Sequence, residues 1–272
     1  IPKNFFHKTS SNRQLFILCE TCTVNMKIRT TLEMNSMYLK SLEILRNKDI
    51  DLNSYPFSIP AIKNLKSISF RSNITFFVGE NGSGKSTLLE AIAYQCGFNT
   101  AGGGKNNNFH VDASDAALGE YIRLSWMPKV TNGFFLRAET FYHFASYLDT
   151  IPESLPYYGG RSLHKQSHGE AFLSLLTNRF GKKAIYLLDE PEAALSPARQ
   201  LTLLRIIKDL ENDAQFIIST HSPILLGYPN AQILNFDEHP LKEVKYEETM
   251  HYIITRRFLE NRKKVLSELF ND

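Results

Sequence analysis

The run Gly79-Glu80-Asn81-Gly82-Ser83-Gly84-Lys85-Ser86-Thr87 fits the pattern G-x-x-x-x-G-K-[ST] and lies between two stretches of different periodicity. Before it, Ile74–Val78 is an unbroken apolar run of the kind buried in a parallel sheet. After it, Lys85–Cys96 carries Leu88, Leu89, Ile92 and Ala93 on one helical face and ends at Gly97. A strand that stops, turns on glycines and restarts as a helix gathers backbone N–H groups and the positive end of a helix at one point. That arrangement suits a phosphate. Lys85 is then expected to reach the β- and γ-phosphates of a nucleotide, and the Ser86 hydroxyl to sit on Mg²⁺. The bland alternative is a glycine-rich turn with a solvent-exposed lysine, which the strand and helix on either side argue against.

Two further sites point to the same chemistry. Ala184-Ile-Tyr-Leu-Leu-Asp189-Glu190 ends an apolar strand in adjacent carboxylates, and strand ends are where open α/β sheets bind ligands. Asp189 is the expected Mg²⁺ partner, and Glu190 is placed to polarise an attacking water. In isolation such a pair also reads as a helix cap or turn. Ile217-Ile-Ser-Thr220-His221 puts a histidine just past another buried strand, where it is either a satisfied polar group at a sheet edge or a γ-phosphate contact.

Strands are also expected over Tyr38–Leu45, Ser67–Phe70, Tyr121–Trp126, Phe134–Ala138, Gln232–Phe236 and Val244–Tyr246. Helices are expected over Glu139–Leu148, His168–Phe180 and Pro197–Leu210, the last capped by Ser196, with two polar helices ending near Phe270. Residues 100–108 read as a loop. Strands alternating with helices imply an α/β fold with a mainly parallel central sheet. The first 36 residues show no sustained period and read as a tail, disordered or not native, leaving 37–272 as the folded domain, with Met34 or Met37 as an alternative start.

Composition narrows the function classes. At 43% hydrophobic and 12% aromatic over 272 residues, the chain has material for a packed interior. Its net charge of +3 comes from the first 36 residues, so the remainder is balanced and shows no basic footprint that demands nucleic acid. No stretch approaches the roughly 18 apolar residues of a membrane span, and Leu15–Cys19 is too short for the core of a signal peptide. Cys19, Cys22 and Cys96 make an odd count that suggests a reducing compartment. Cys19 and Cys22 have CxxC spacing but lack the second ligand pair of a zinc site. Cytoplasmic location is the expectation.

Together these residues resemble the ABC-type ATPase superfamily, whose motifs run in the order phosphate loop, signature, acidic strand, D-loop and switch histidine. The signature is matched by Gln166-Ser167-His168-Gly169-Glu170, the D-loop by Ala194-Leu195-Ser196-Pro197 and the switch by His221. Phe134-Phe-Leu-Arg-Ala-Glu139, Tyr158-Gly-Gly-Arg161 and Glu190-Pro-Glu-Ala-Ala-Leu-Ser-Pro197 look like a group of small stand-alone bacterial predicted ATPases. The resemblance implies a P-loop NTPase fold with an antiparallel N-terminal β part and a small helical subdomain at about 139–180. It also implies ATP and Mg²⁺ as ligands, and a head-to-tail homodimer in which Ser167 and Gly169 touch the γ-phosphate in trans.

The sequence departs from the family at His168, where a glycine is usual, and at Glu170 in place of glutamine. Glu139 stands where the Q-loop glutamine is expected; it is either a ligand to Mg²⁺ or water, or the first-turn acid of the next helix. Arg137 is a weaker candidate for a phosphate or partner contact. Tyr55 and Phe57 are available to stack on adenine, or belong to the core.

The implied activity is ATP hydrolysis, with Lys85, Glu190 and His221 as catalytic residues and the dimer acting as a switch on DNA or a protein. About 80 residues separate Thr87 from Ser167 without heptads, which excludes a long coiled-coil arm. The alternative is the ATPase subunit of a membrane transporter. A third reading is the ATPase half of a defence or toxin system whose effector lies on another chain, since no second carboxylate cluster with metal spacing is evident.

Overall fold

A computed structural model describes residues 37–46, 50–105, 107 and 117–270; the expected tail, Cys19, Cys22 and part of the 100–108 loop lie outside them. The strands are Leu39–Ile44 (β1), Ser67–Ser69 (β2), Ile74–Val78 (β3), Ile122–Trp126 (β4), Gly133–Arg137 (β5), Ala184–Asp189 (β6), Ala214–Ser219 (β7), Gln232–Asn235 (β8) and Lys242–Glu243 (β9). The α-helices are Pro60–Asn64 (α1), Lys85–Cys96 (α2), Phe141–Asp149 (α3), His168–Arg179 (α4), Pro197–Leu210 (α5), Pro223–Leu226 (α6) and Met250–Phe270 (α7).

Strands β3, β6 and β7 are buried at every position, because they lie inside a sheet covered on both faces. That sheet has the order β5-β6-β7-β3-β8-β9 and is parallel except for β9. The side chains alternate between two cores, as the period of two requires. Phe76, Phe134, Tyr186, Leu188, Phe216 and Ile218 face a core shared with α3, α4 and α5. Phe77, Phe135, Ile185, Leu187 and Ile217 face one shared with α2 and the small antiparallel sheet β2-β1-β4.

Two buried glutamines tie the sheets together. The Gln215 side chain, fully buried on β7, accepts from the backbone N–H groups of Tyr38 (3.1 Å) and Leu39 (2.8 Å) and donates to the Leu39 carbonyl (3.0 Å). Gln232 on β8 accepts from Arg71 N–H (3.0 Å) and donates to the Ser69 carbonyl (3.1 Å). Each amide supplies a donor and an acceptor at once, which lets it splice into a backbone ladder.

The helix expected at 85–96 has those bounds, and Gly97 closes it in the left-handed region (φ 71°) with its N–H on the Ala93 and Tyr94 carbonyls. Two expectations need correcting. Ser196 occupies the N-cap of α5, but its side chain makes no capping bond. The strand expected over Val244–Tyr246 is β9 instead, two residues earlier, because Lys245 N–H turns onto the Glu248 carboxylate (2.9 Å) and starts a 3₁₀ turn at Tyr246–Glu248. The two expected polar C-terminal helices are present as the two parts of α7, which meet at a kink where Asn261 leaves helical geometry (φ −131°, ψ 35°). Among the described residues no helix is long and apolar enough to cross a membrane.

Replacing Gln215 by Leu keeps the volume but strands two buried N–H donors of the first strand. Urea unfolding should show a loss of about 2–3 kcal/mol; an unchanged midpoint would mean that the amide tie adds nothing to stability.

Candidate functional site

Parallel register aligns the strand ends. Arg137 on β5 pairs with Asp189 on β6, Asp189 with Ser219 on β7, and Ser219 with Phe77 on β3, so four strands end in one row. The ladder continues one residue further, with Glu190 N–H on Ser219 O (3.0 Å) and Thr220 N–H on Phe77 O (3.2 Å). The phosphate loop, the acidic pair and the switch histidine therefore emerge along one edge. Glu190 turns off that edge in the left-handed region (φ 48°, ψ 52°), unusual for a residue with a Cβ and of the kind that clusters at functional sites.

The phosphate loop bends where only glycine fits. A Cβ on Gly79 (φ 145°) would stand 2.9 Å from an oxygen of Asp237, and one on Gly84 (φ 103°) 3.0 Å from Ile59. Asp237, just past β8, holds the loop by accepting from Glu80 N–H (2.8 Å). The Lys85 ammonium, 3% exposed, donates to the carbonyls of Gly79 (2.7 Å) and Glu80 (2.8 Å). Burial lowers its pKa, and the surrounding carboxylates of Glu190, Asp237, Asp189 and Glu80 oppose that. Asn81, Gly82, Gly84, Lys85, Ser86 and Thr87 line a cavity of about 470 Å³, closed on one side by Tyr55 and Ile59. Tyr55 is exposed, with its hydroxyl 3.4 Å from Thr87 Oγ1, whereas Phe57 is buried edge-on against Tyr121. Of the two aromatics, Tyr55 faces the cavity and Phe57 belongs to the core.

A second cavity of about 260 Å³ adjoins the first through the shared residues Ser86 and Glu190 and is also lined by Glu139, His168 and Asp189. Ser86 and Glu90, one helical turn apart on α2, meet two neighbours in the strand row. The Ser86 hydroxyl donates to Asp189 (3.0 Å), and Arg137 pairs with Glu90 and approaches Asp189 (3.6 Å). Burial pushes the Asp189 carboxyl up to about 6, against the pull of Arg137 and Ser86. Arg137 thus organises the buried charges from within. Glu90 escaped the sequence reading, although its spacing of four from Ser86 marks it.

Glu139 is largely exposed and paired with Arg137 (3.2 Å). It is not the first-turn acid of α3, because that helix begins at Phe141 with Thr140 as its N-cap and has no acid in its first turn. Among the described residues no three His, Cys, Asp or Glu side chains converge as a metal cluster.

His221 points between two partners. Its backbone N–H donates to Glu192 (2.5 Å), its Nδ1 lies 2.9 Å from Nε2 of His251 on α7, and its Nε2 faces a Glu190 oxygen at 3.6 Å. The loop below is braced by Gln200, which donates to Leu195 O (3.0 Å) and accepts from the Ser222 hydroxyl (2.5 Å). Neither His251 nor Gln200 carries a sequence signal, since each reaches the site only through packing.

Ser167 and Gly169 line neither cavity. Gly169 is buried where a Cβ would meet an Arg199 nitrogen at 2.3 Å and the Ala194 carbonyl at 3.1 Å. Ser167 N–H donates to Glu170 (3.1 Å), and Glu170 pairs with Arg199 (3.5 Å), so the unusual acid caps its own helix. The Ser-x-x-Glu spacing announces that cap in the sequence. His168, the other departure, packs edge-on against Phe141 with ring centroids 5.5 Å apart and faces the smaller cavity.

The donor set fits a nucleotide triphosphate with Mg²⁺: a glycine cradle, a buried ammonium, a hydroxyl beside a carboxylate, and buried Ser83 Oγ and His221 Nε2 without hydrogen-bond partners. Residues 43–139 match a family profile described as "AAA domain", and residues 170–227 match one described as "AAA domain, putative AbiEii toxin, Type IV TA system". Over 207 residues the chain is 29% identical to the "Probable branched-chain amino acid transport ATP-binding protein LivF" of Archaeoglobus fulgidus, covering 69% of this chain and 78% of that protein. Among solved structures, the SMC head domain from Thermotoga maritima matches at 16% identity and TM-score 0.41, over 77% of this chain and 99% of that one. CbiO1 from Clostridium perfringens, part of an ABC transporter complex, matches at 16% and 0.43, over 86% and 98%.

The raised pKa of Asp189 has a measurable consequence. With a folded pKa near 6 against an ordinary 3.8, the folded state holds this proton longer, so the group's contribution to stability falls as pH rises from about 4 to 6 and is level above. Asp189→Asn should therefore stabilise the nucleotide-free protein at pH 8 by on the order of 2 kcal/mol, with a smaller gain at pH 5. Thermal melts in chelator at both pH values test this; a variant destabilised at pH 8 would contradict it.

Proposed function

We propose that this chain, which belongs to the ABC-type P-loop ATPases, is a cytoplasmic switch that closes as a homodimer around ATP and relaxes on hydrolysis. The observation that carries the reading is the shared strand edge, which brings the phosphate loop and Asp189–Glu190 around two adjoining cavities and sets His221 behind Glu190, its Nε2 3.6 Å from that carboxylate.

Within one protomer the residues divide the work. Residues 79–84 wrap backbone N–H groups around the β- and γ-phosphates, and Lys85 leaves the loop carbonyls to neutralise charge on them. Ser86 and Asp189, already hydrogen-bonded to each other, would hold Mg²⁺, and Glu139, which lines the same cavity, would be a further carboxylate near it. Held there, Mg²⁺ would supply charge neutralisation on the phosphate oxygens. Glu190 orients a water for in-line attack on the γ-phosphorus, its proton passing to the carboxylate as the bond to the β-bridging oxygen breaks. His221 donates from Nε2 to a γ-phosphate oxygen. Tyr55 supplies the face on which the base rests.

The trans role of Ser167 and Gly169 is supported by their absence from both cavities of their own protomer and by the helix N-terminus that Ser167 caps. Closure of the pair would be read by DNA or a protein effector on another chain. Similarity to a transport ATP-binding protein supports a second reading, an ATPase subunit docked on a separate permease. Co-purification with a permease in detergent would favour it.

Glu190→Gln should keep ATP bound and lower turnover by about 100-fold or more. Light scattering behind size exclusion should then show dimers with Mg-ATP and monomers without it, and short duplex DNA added to the run tests the partner. Hydrolysis at the parent rate would remove Glu190 from its role, and a variant that stays monomeric on ATP would sink the sandwich.

A further inference from the structure

The switch histidine does not stand alone. His251, on the first turn of α7, places Nε2 at 2.9 Å from Nδ1 of His221, with the two rings 5.0 Å apart at 60°. Such a contact needs one proton between two nitrogens, and with both rings neutral two arrangements satisfy it. If His221 donated from Nδ1, its Nε2 would carry a lone pair facing the Glu190 carboxylate at 3.6 Å, two acceptors opposed. If His251 donates, His221 Nε2 carries the proton and presents an N–H to Glu190. The carboxylate selects the second arrangement.

We propose that His251 is a positioning residue: by donating to Nδ1 it locks His221 as the Nε2–H tautomer and fixes the plane of its ring, so that the switch is a neutral hydrogen-bond donor aimed at the γ-phosphate. This rests on the reading of His221 given above. The setting supports it. His251 is half-buried, and burial, His221 and Lys85 lower its pKa, while Glu80 and Asp237 act in the opposite sense. It therefore stays neutral and retains a single Nε2–H to give. The backbone of His221 is held independently by Glu192, so loss of His251 frees the ring without releasing the loop. Because His251 rides on α7, of which no residue is fully buried, the C-terminal helix supplies half of the switch from outside the core. Thr249, buried at its start, and the Tyr246 hydroxyl on Pro223 O (2.9 Å) seat that helix beside the segment that follows His221.

Nitrogen-15 histidine spectra of the full chain, assigned by comparison with His221→Ala, read the tautomer directly. The parent should show His221 unprotonated at Nδ1 and protonated at Nε2. His251→Phe should erase that preference and lower kcat by about tenfold with KM for ATP changed by less than about twofold, and His251→Gln, whose amide can donate to Nδ1, should restore both. A proton on Nδ1 in the parent, or His251→Phe turning over at the parent rate while His221→Ala does not, overturns the proposal. Parent-rate hydrolysis by His221→Ala would instead overturn the γ-phosphate role of His221 and the kinetic half of the proposal with it; the tautomer in the parent would then decide the hydrogen bond alone.

Discussion

Strands that run parallel deliver their C-terminal ends to one edge of a sheet, and the pairing of β5, β6, β7 and β3 makes every polar group of the site an outcome of register. Asp189 faces α2 because Leu188 before it faces the other core; a slip of one residue would exchange them. The same alternation sets Arg137 beside Asp189 on the α2 side, where Ser86 and Glu90 wait one turn apart.

That register concentrates charge in a dry place. Lys85 and Asp189 are both nearly buried, and desolvation moves each toward its neutral form, the lysine down and the aspartate up. Internal partners offset part of this cost: loop carbonyls for the ammonium, and Ser86 with Arg137 for the carboxylate. Groups held this way gain when a phosphate and a cation arrive, since each then meets the opposite charge it lacked. The site is costly to fold and favourable to fill.

The helix His168–Arg179 begins with a self-made cap in which Glu170 satisfies Ser167 N–H, so its N-terminus is formed within one chain. His221 is joined on one side to the D-loop region through Glu192 and on the other to α7 through His251. His221 is thus tied in two directions, one toward the segment at Glu192 and one toward the C-terminal helix.

Much of this was legible in one dimension. The phosphate loop, the Asp189–Glu190 strand end, the His221 strand end and the bounds of α2 and α5 follow from apolar runs, glycines and helical spacing, signals carried by consecutive residues. Strand order, the row through Arg137, Asp189 and Ser219, the braces from Gln215, Gln232 and Asp237, the division of labour between Tyr55 and Phe57, and the meeting of His221 with His251 were not. Each joins residues far apart in the chain, and no local pattern encodes a distance between segments. Sequence determined which chemical groups stand at the ends of which elements, because propensity and periodicity act over a few residues. Only tertiary structure decided which of those groups meet, because burial of both sheet faces selects one register, and register sets the neighbours.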